Sequence, residues 1–177
     1  MGLLRFIIWP MIFLTVLLAP YLLYAQVLSE NAVKALYIVK IIKFIKFGAG
    51  NIAEPLVCIL DDGAKDSVSN NLTVLSSKKA LSGINFKNVK TGDINNSCNL
   101  VYISNDYSSS LKDLLIITDK HKLITLSDIN GFTRKGGMFG FAINNSGNIK
   151  VELNYSNLKN TNNKVGAELL EMIKVVE

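Results

Sequence analysis

Residues 123–154, LITLSDINGFTRKGGMFGFAINNSGNIKVELN, constrain the fold more than any other part of the chain. Residues 123–126 form a short apolar strand pattern. Ser127 and Asp128 follow, two side chains that accept hydrogen bonds from nearby backbone N–H groups and so start turns. Next come Gly131-Phe132, the basic pair Arg134-Lys135, and Gly136-Gly137. Residues 138–143 are almost wholly apolar and predict a buried strand. Residues 144–147 signal a turn, after which Ile149, Val151 and Leu153 alternate with Lys150, Glu152 and Asn154. The segment therefore reads as a strand, a glycine-rich loop and a hairpin.

The rest of the chain alternates in the same manner. Ser29 or Asn31 caps a predicted helix reaching about residue 47. Val33, Leu36, Tyr37, Ile41, Phe44 and Ile45 recur at three- and four-residue steps and form its expected core-facing stripe. Lys40, Lys43 and Lys46 share one side of it, as a solvated face or a contact for anionic lipid headgroups. Strand patterns occupy 55–60, 85–89 and 98–104. Helical patterns occupy 64–75, 108–117, 155–160 and 165–175. This alternation predicts an α/β layered sandwich with a mostly parallel sheet, an antiparallel C-terminal hairpin at one edge and helices on both faces. Ligands and partners of such sheets gather at the strand carboxyl ends. Residues 61–63, 104–108 and 127–137 are thus expected at one rim.

At 177 residues the chain has the size of one domain. Its first 25 residues read as a signal peptide: Arg5, an apolar run over 6–18, and Ala25 at the cleavage position. Residues 26–177 are then a single domain in the periplasm, with no membrane span after leader cleavage. The alternative is an uncleaved anchor, because residues 3–25 approach the length of a span. The net charge of +5 includes Arg5. Arg134 is the only arginine beyond the leader, and no basic block is interleaved with aromatics, so nucleic acid is not an expected partner.

Signs of catalysis are sparse. His121 is the only histidine, which excludes a two-histidine metal site. No G-x-S-x-G elbow is present. Residues 131–137 lack the Lys-Ser/Thr ending of a phosphate-binding loop, so their glycines serve positive φ or close backbone packing. Asp61, Asp62 and Asp128 are carboxylates that either converge on a cation or act as caps and strand ends. We assign no catalytic, cofactor-binding or metal-binding residue and expect a protein that is not an enzyme and carries no cofactor.

Thr125, Ser127, Asp128, Gly131, Phe132, Gly136, Gly137, Met138 and Phe141, with Val151-Glu152-Leu153-Asn154, stand at a spacing that resembles the YfiR-like family of small periplasmic proteins. Val33-Lys34-Ala35-Leu36-Tyr37 with Ile45-Lys46-Phe47 looks like that family's opening helix. Leu56-Val57-Cys58-Ile59-Leu60 and Cys98-Asn99-Leu100-Val101-Tyr102-Ile103-Ser104 look like two of its strands. Phe47 stands where the family usually has tryptophan, and Asp61-Asp62 shift the expected glycine to Gly63.

The resemblance implies a soluble repressor. It would bind the periplasmic domain of an inner-membrane diguanylate cyclase, or of a sensor kinase, and hold it inactive, limiting cyclic-di-GMP and biofilm formation. It also implies a homodimer. A second expectation is a periplasmic small-molecule sensor or carrier. The partner- or ligand-binding candidates are Ser127, Asp128, Gly131, Phe132, Arg134, Gly136, Gly137 and Met138. Phe132, Met138 and Phe139 are either apolar anchors or core fillers. The resemblance further implies redox-sensitive bridging at Cys58 and Cys98. The residues themselves leave two states open, a disulfide of the oxidising compartment or buried thiols packed as small hydrophobes. The second cysteine pair of some relatives is absent.

Overall fold

A computed structural model describes residues 28–48, 50, 52–77, 83–144 and 146–176. The predicted leader lies outside the described residues. Among the described residues no helix is long and apolar enough to cross a membrane.

The chain opens with helix α1 (Glu30–Phe44), β1 (Ile45–Lys46), β2 (Leu56–Leu60), α2 (Val68–Ser76) and β3 (Asn85–Asn88). It continues through β4 (Leu100–Ile103), a 3-10 segment (Asn105–Ser110), α3 (Leu111–Lys120) and β5 (Ile124–Ser127). A 3-10 turn (Phe132–Lys135), β6 (Phe139–Ile143) and β7 (Ile149–Asn154) follow. Then come α4 (Tyr155–Lys159), β8 (Lys164–Val165), α5 (Ala167–Leu170) and β9 (Lys174–Val176). Seven strands form one sheet in the order β3-β2-β4-β5-β6-β7-β9, and β1 pairs with β8 in a separate ribbon. β3 through β6 are parallel to one another across the sheet. The hairpin β6–β7 is antiparallel, and β9 adds a strand parallel to β7 beyond it. This is the expected α/β sandwich with a mostly parallel sheet.

The strands alternate between two buried layers, as a period of two requires. Val57, Ile59, Leu100, Tyr102, Ile124 and Leu126 face the larger layer, where α1, α2, Leu158 and Leu169 cover the sheet. Cys58, Leu60, Val101 and Ile103 face the smaller one, under α3 and Phe132. Both faces are thus covered by helices. Each fully buried aliphatic or aromatic side chain contributes about 1.5–3 kcal/mol.

Four readings change in detail. Ser29 does cap α1, its hydroxyl accepting from the Ala32 N–H at 3.2 Å. The helix nevertheless stops at Phe44, because Ile45 turns extended (φ −86°, ψ 132°) to pair with Val165. Its buried residues are Lys34, Ala35, Ile38, Val39, Ile41 and Ile42, with Leu36 43% exposed. α1 is apolar on most sides, so periodicity did not choose the buried face; the packing against the sheet did. The stretch 64–75 forms turns before α2 begins at Val68. The predicted helix over 165–175 is replaced by α5 and β9, since the outer edge of β7 offers unpaired backbone groups that β9 satisfies.

Cys58 and Cys98 form a disulfide with their Cα atoms 5.7 Å apart. It joins β2 to the turn that leads into β4, within the smaller layer.

Candidate functional site

Strand order reverses between β2 and β4: the chain leaves β2 for β3 on one side and returns for β4 on the other. A crevice opens at such a switch point, beyond the strand carboxyl ends. Leu60 pairs with Ile103, and Ile103 with Ser127. The next residues, Asp61, Ser104 and Asp128, therefore stand side by side. A cleft of about 390 Å³ lies over them, bordered also by Glu30, Lys34 and Asp106. The three segments expected at one rim do meet there in part: residues 61–62, 104–106 and 128 line it, whereas 131–137 do not. A larger groove of about 560 Å³ sits elsewhere, beside Phe47, Pro55 and Ile84.

Asp128 is the centre of the rim. One of its oxygens accepts from Lys34 Nζ at 2.7 Å, and the other accepts from the backbone N–H of Asn105 at 2.7 Å. Its side chain is 15% exposed and that of Lys34 8%. Lys34 also pairs with Glu30, one helical turn away, at 2.7 Å. Burial alone would lower the Lys34 pKa; the two carboxylates outweigh it and raise the value above that of an ordinary lysine. Tyr102 reaches Asp128 with its hydroxyl, and burial together with that carboxylate's charge pushes its pKa far above the usual tyrosine range.

The other aspartates are engaged in shaping loops. Asp61 accepts from the Ser69 N–H and the Ser69 hydroxyl, each at 2.8 Å, and from the Gly63 N–H at 3.0 Å, which fastens β2 to the start of α2. Asp62 accepts from the Ala64 N–H at 2.9 Å. Among the described residues, no three His, Cys, Asp or Glu side chains are grouped to hold a metal ion. His121 lies away from the cleft, its ring bonded to the Asn96 side chain.

The glycine loop divides into an inner and an outer part. Ser127 is buried and accepts from the Ile129 N–H at 2.9 Å. Phe132 is 1% exposed and Met138 6% exposed. The two sit in opposite layers, Phe132 under α3 and Met138 on the α1 side. Phe139 is wholly buried. As apolar anchors for a partner these three are corrected to core fillers, because a side chain already enclosed by the sheet has no surface to offer. Gly131 (φ +66°) and Gly136 (φ +104°) take left-handed conformations at the two ends of the 3-10 turn, which glycine adopts without steric cost. At Gly137 a Cβ would collide with the Phe132 ring. What remains outside is Arg134, Lys135 and Gly136, all exposed.

Lys34 and Tyr102 escaped the sequence reading as members of the rim, and Asn105, which lay within the expected 104–108 segment, was not foreseen as a donor to Asp128. Lys34 carried a usable signal: a lysine amid the apolar residues of a buried helix needs a carboxylate partner. Tyr102 and the Asn105 N–H carried none, since their nearness to Asp128 arises from strand register.

Residues 31–173 match the family described as YfiR/HmsC-like. The chain belongs to that family. The matched region includes the glycine loop, whose inner residues in this chain seal both layers of the sheet. No curated protein matches the chain by sequence. In fold the chain is similar to a conserved domain protein from Vibrio cholerae O1 biovar El Tor, with a TM-score of 0.59 and 10% identity over 85% of this chain and 61% of that one. It is also similar to an ABC domain from Streptococcus pneumonia in complex with L-Trp, with a TM-score of 0.54 and 12% identity over 80% of this chain and 60% of that one. The chain spans about three fifths of the length of either structure, and at these identities the likeness concerns the fold alone.

Proposed function

We propose that this YfiR/HmsC-like domain is an exported regulator that binds the periplasmic region of an inner-membrane diguanylate cyclase and holds the enzyme inactive. It acts in the periplasm, as a non-catalytic repressor of cyclic-di-GMP synthesis and biofilm formation. The observation that carries this reading is the family match over residues 31–173. Two features support it. The rim carboxylates are engaged by Lys34, Tyr102 and loop N–H groups, and a disulfide ties the smaller layer, as suits an oxidising compartment. Repression is a difference in affinity: the domain must favour the inactive receptor, and each tenfold preference shifts that equilibrium by about 1.4 kcal/mol. The contact surface in this reading is the outer part of the glycine loop, Arg134 to Gly136. Homodimerisation belongs to the same reading and is read out by light scattering of the purified domain.

The experiment is capture of the cognate cyclase's periplasmic region by the purified domain, with cyclic-di-GMP measured in cells lacking the domain. Capture and a rise in cyclic-di-GMP are expected. The absence of both capture and a rise would overturn the proposal.

A second reading, a small-molecule sensor or carrier, is favoured by the 390 Å³ cleft at the switch point. An upward shift in melting temperature with a small polar ligand, lost in Asp128→Asn, would support it.

A further inference from the structure

One surface of the molecule collects bare cations on a braced base. The 3-10 turn over Phe132–Lys135 and helix α4 are about twenty residues apart in sequence, yet three side-chain hydrogen bonds join them. Asn154 donates to the Thr133 carbonyl at 3.1 Å, and Asn157 donates to the carbonyls of Gly136 and Gly137 at 3.0 and 3.4 Å. Asn154 also caps α4 by accepting from the Asn157 N–H at 3.0 Å. Beneath them Phe132 and Thr133 are each 1% exposed, so the turn is anchored in the core.

Arg134, Lys135, Tyr155 and Lys159 project from this base, all exposed. Lys159 Nζ lies 4.7 Å from the centre of the Tyr155 ring, which holds the ammonium in place. Among the described residues, none of Arg134, Lys135 and Lys159 forms an ion pair with a carboxylate. The chain's acidic cleft is built from other residues, so it does not neutralise them.

We infer that Arg134, Lys135, Tyr155 and Lys159 form a docking surface for an acidic, Asp/Glu-rich stretch of a protein partner. This rests on the proposed repressor role and names the chemistry of the partner's side. Arg134 supplies a planar fork that matches a carboxylate with two hydrogen bonds. Tyr155 and the braced turn lower the ordering cost of binding. An anionic membrane is a poorer match. Three cations attract an anionic lipid surface only weakly, and the one aromatic ring of the group, Tyr155, lies against the Lys159 ammonium.

The test is the affinity of the intact domain for the cognate cyclase's periplasmic region across a salt series. Three proteins are compared: the parent, the combined Arg134→Glu, Lys135→Glu, Lys159→Glu variant, and a charge-matched control with Lys40→Glu, Lys87→Glu and Lys112→Glu. Circular dichroism checks the fold of each. The surface variant is expected to bind at least about tenfold more weakly while the control binds like the parent. The parent's affinity should fall as salt rises. Equal binding by parent and surface variant would overturn the inference and leave the repressor role standing. A failure of the parent to bind would remove both. If the surface variant loses only its binding to phosphatidylglycerol vesicles and keeps the receptor, the surface reads lipid and the inference falls.

Discussion

The two faces of the sheet are held by different chemistry. The larger layer packs α1 and α2 on the sheet and encloses titratable groups: Lys34 is buried on α1, Tyr102 is buried on β4, and both meet Asp128. The smaller layer, under α3, has fewer apolar side chains and carries the only disulfide among the described residues. A broad face gains enough from burial to tolerate an ionic group within it. A narrow one gains less, and a cross-link between β2 and the approach to β4 compensates. The larger face should therefore be sensitive to alkali and the smaller one to reduction.

The strongest way to break this contrast is to remove the bridge. The cysteines are 40 residues apart, and opening a loop of that length costs about 4 kcal/mol in the chain-entropy account. Urea denaturation of the Cys58→Ala, Cys98→Ala variant should show that loss. A change below about 1 kcal/mol would mean that the smaller face stands on packing alone.

Next is Phe132→Ala in the smaller layer, which should cost about 3–4 kcal/mol by leaving a cavity between α3 and the sheet. A native-like midpoint in the same denaturation would contradict its role as a core filler.

For the larger face the corresponding change is Asp128→Ala. It leaves the buried ammonium of Lys34 with Glu30 as its one carboxylate partner and frees the Asn105 N–H, with an expected cost of about 2–3 kcal/mol. If Lys34→Met combined with Asp128→Ala restores most of that loss, the weakened pairing of the buried ammonium is its cause.

A pH series sharpens the same point. Lys34 and Tyr102 both have raised values in the folded state. Each contributes stability that is complete below its unfolded value, near pH 10, and is lost as pH rises through the folded value. Melting temperature should hold with respect to these two groups at neutral pH and decline above about pH 10. The decline should be smaller in Tyr102→Phe. An unchanged decline in that variant would remove Tyr102 from the account.

The smallest effect is expected at the loop crest. Arg134→Glu should alter stability by no more than about 0.5 kcal/mol, because the side chain is exposed and has no ion pair among the described residues. A larger loss by thermal denaturation would show that the outer part of the loop is structural, like the inner part.

Much of this architecture was legible in the chain. The alternation of Ile149, Val151 and Leu153 marked β7, and the glycines of 131–137 read as serving positive φ or close packing, the first at Gly131 and Gly136 and the second at Gly137. These are local properties: a two-residue period selects a half-buried strand, and a missing Cβ permits positive φ wherever the residue sits. The carboxyl-end rim was legible too, as a place, because alternating strands and helices imply it.

Long-range packing decided the rest. α1 has apolar residues on most sides, so which of them enter the core depends on the sheet it meets; Ile38 and Ile42 went in while Leu36 stayed out. Residues 174–176 became a strand because β7 presented an open edge, although their own sequence also suits a helix. The meeting of Lys34, Tyr102 and Asn105 at Asp128 is set by register between elements far apart in the chain. Local sequence encodes backbone preference and hydrophobic period. Which faces meet, and which charges become partners, is encoded only in the energy of burying them together.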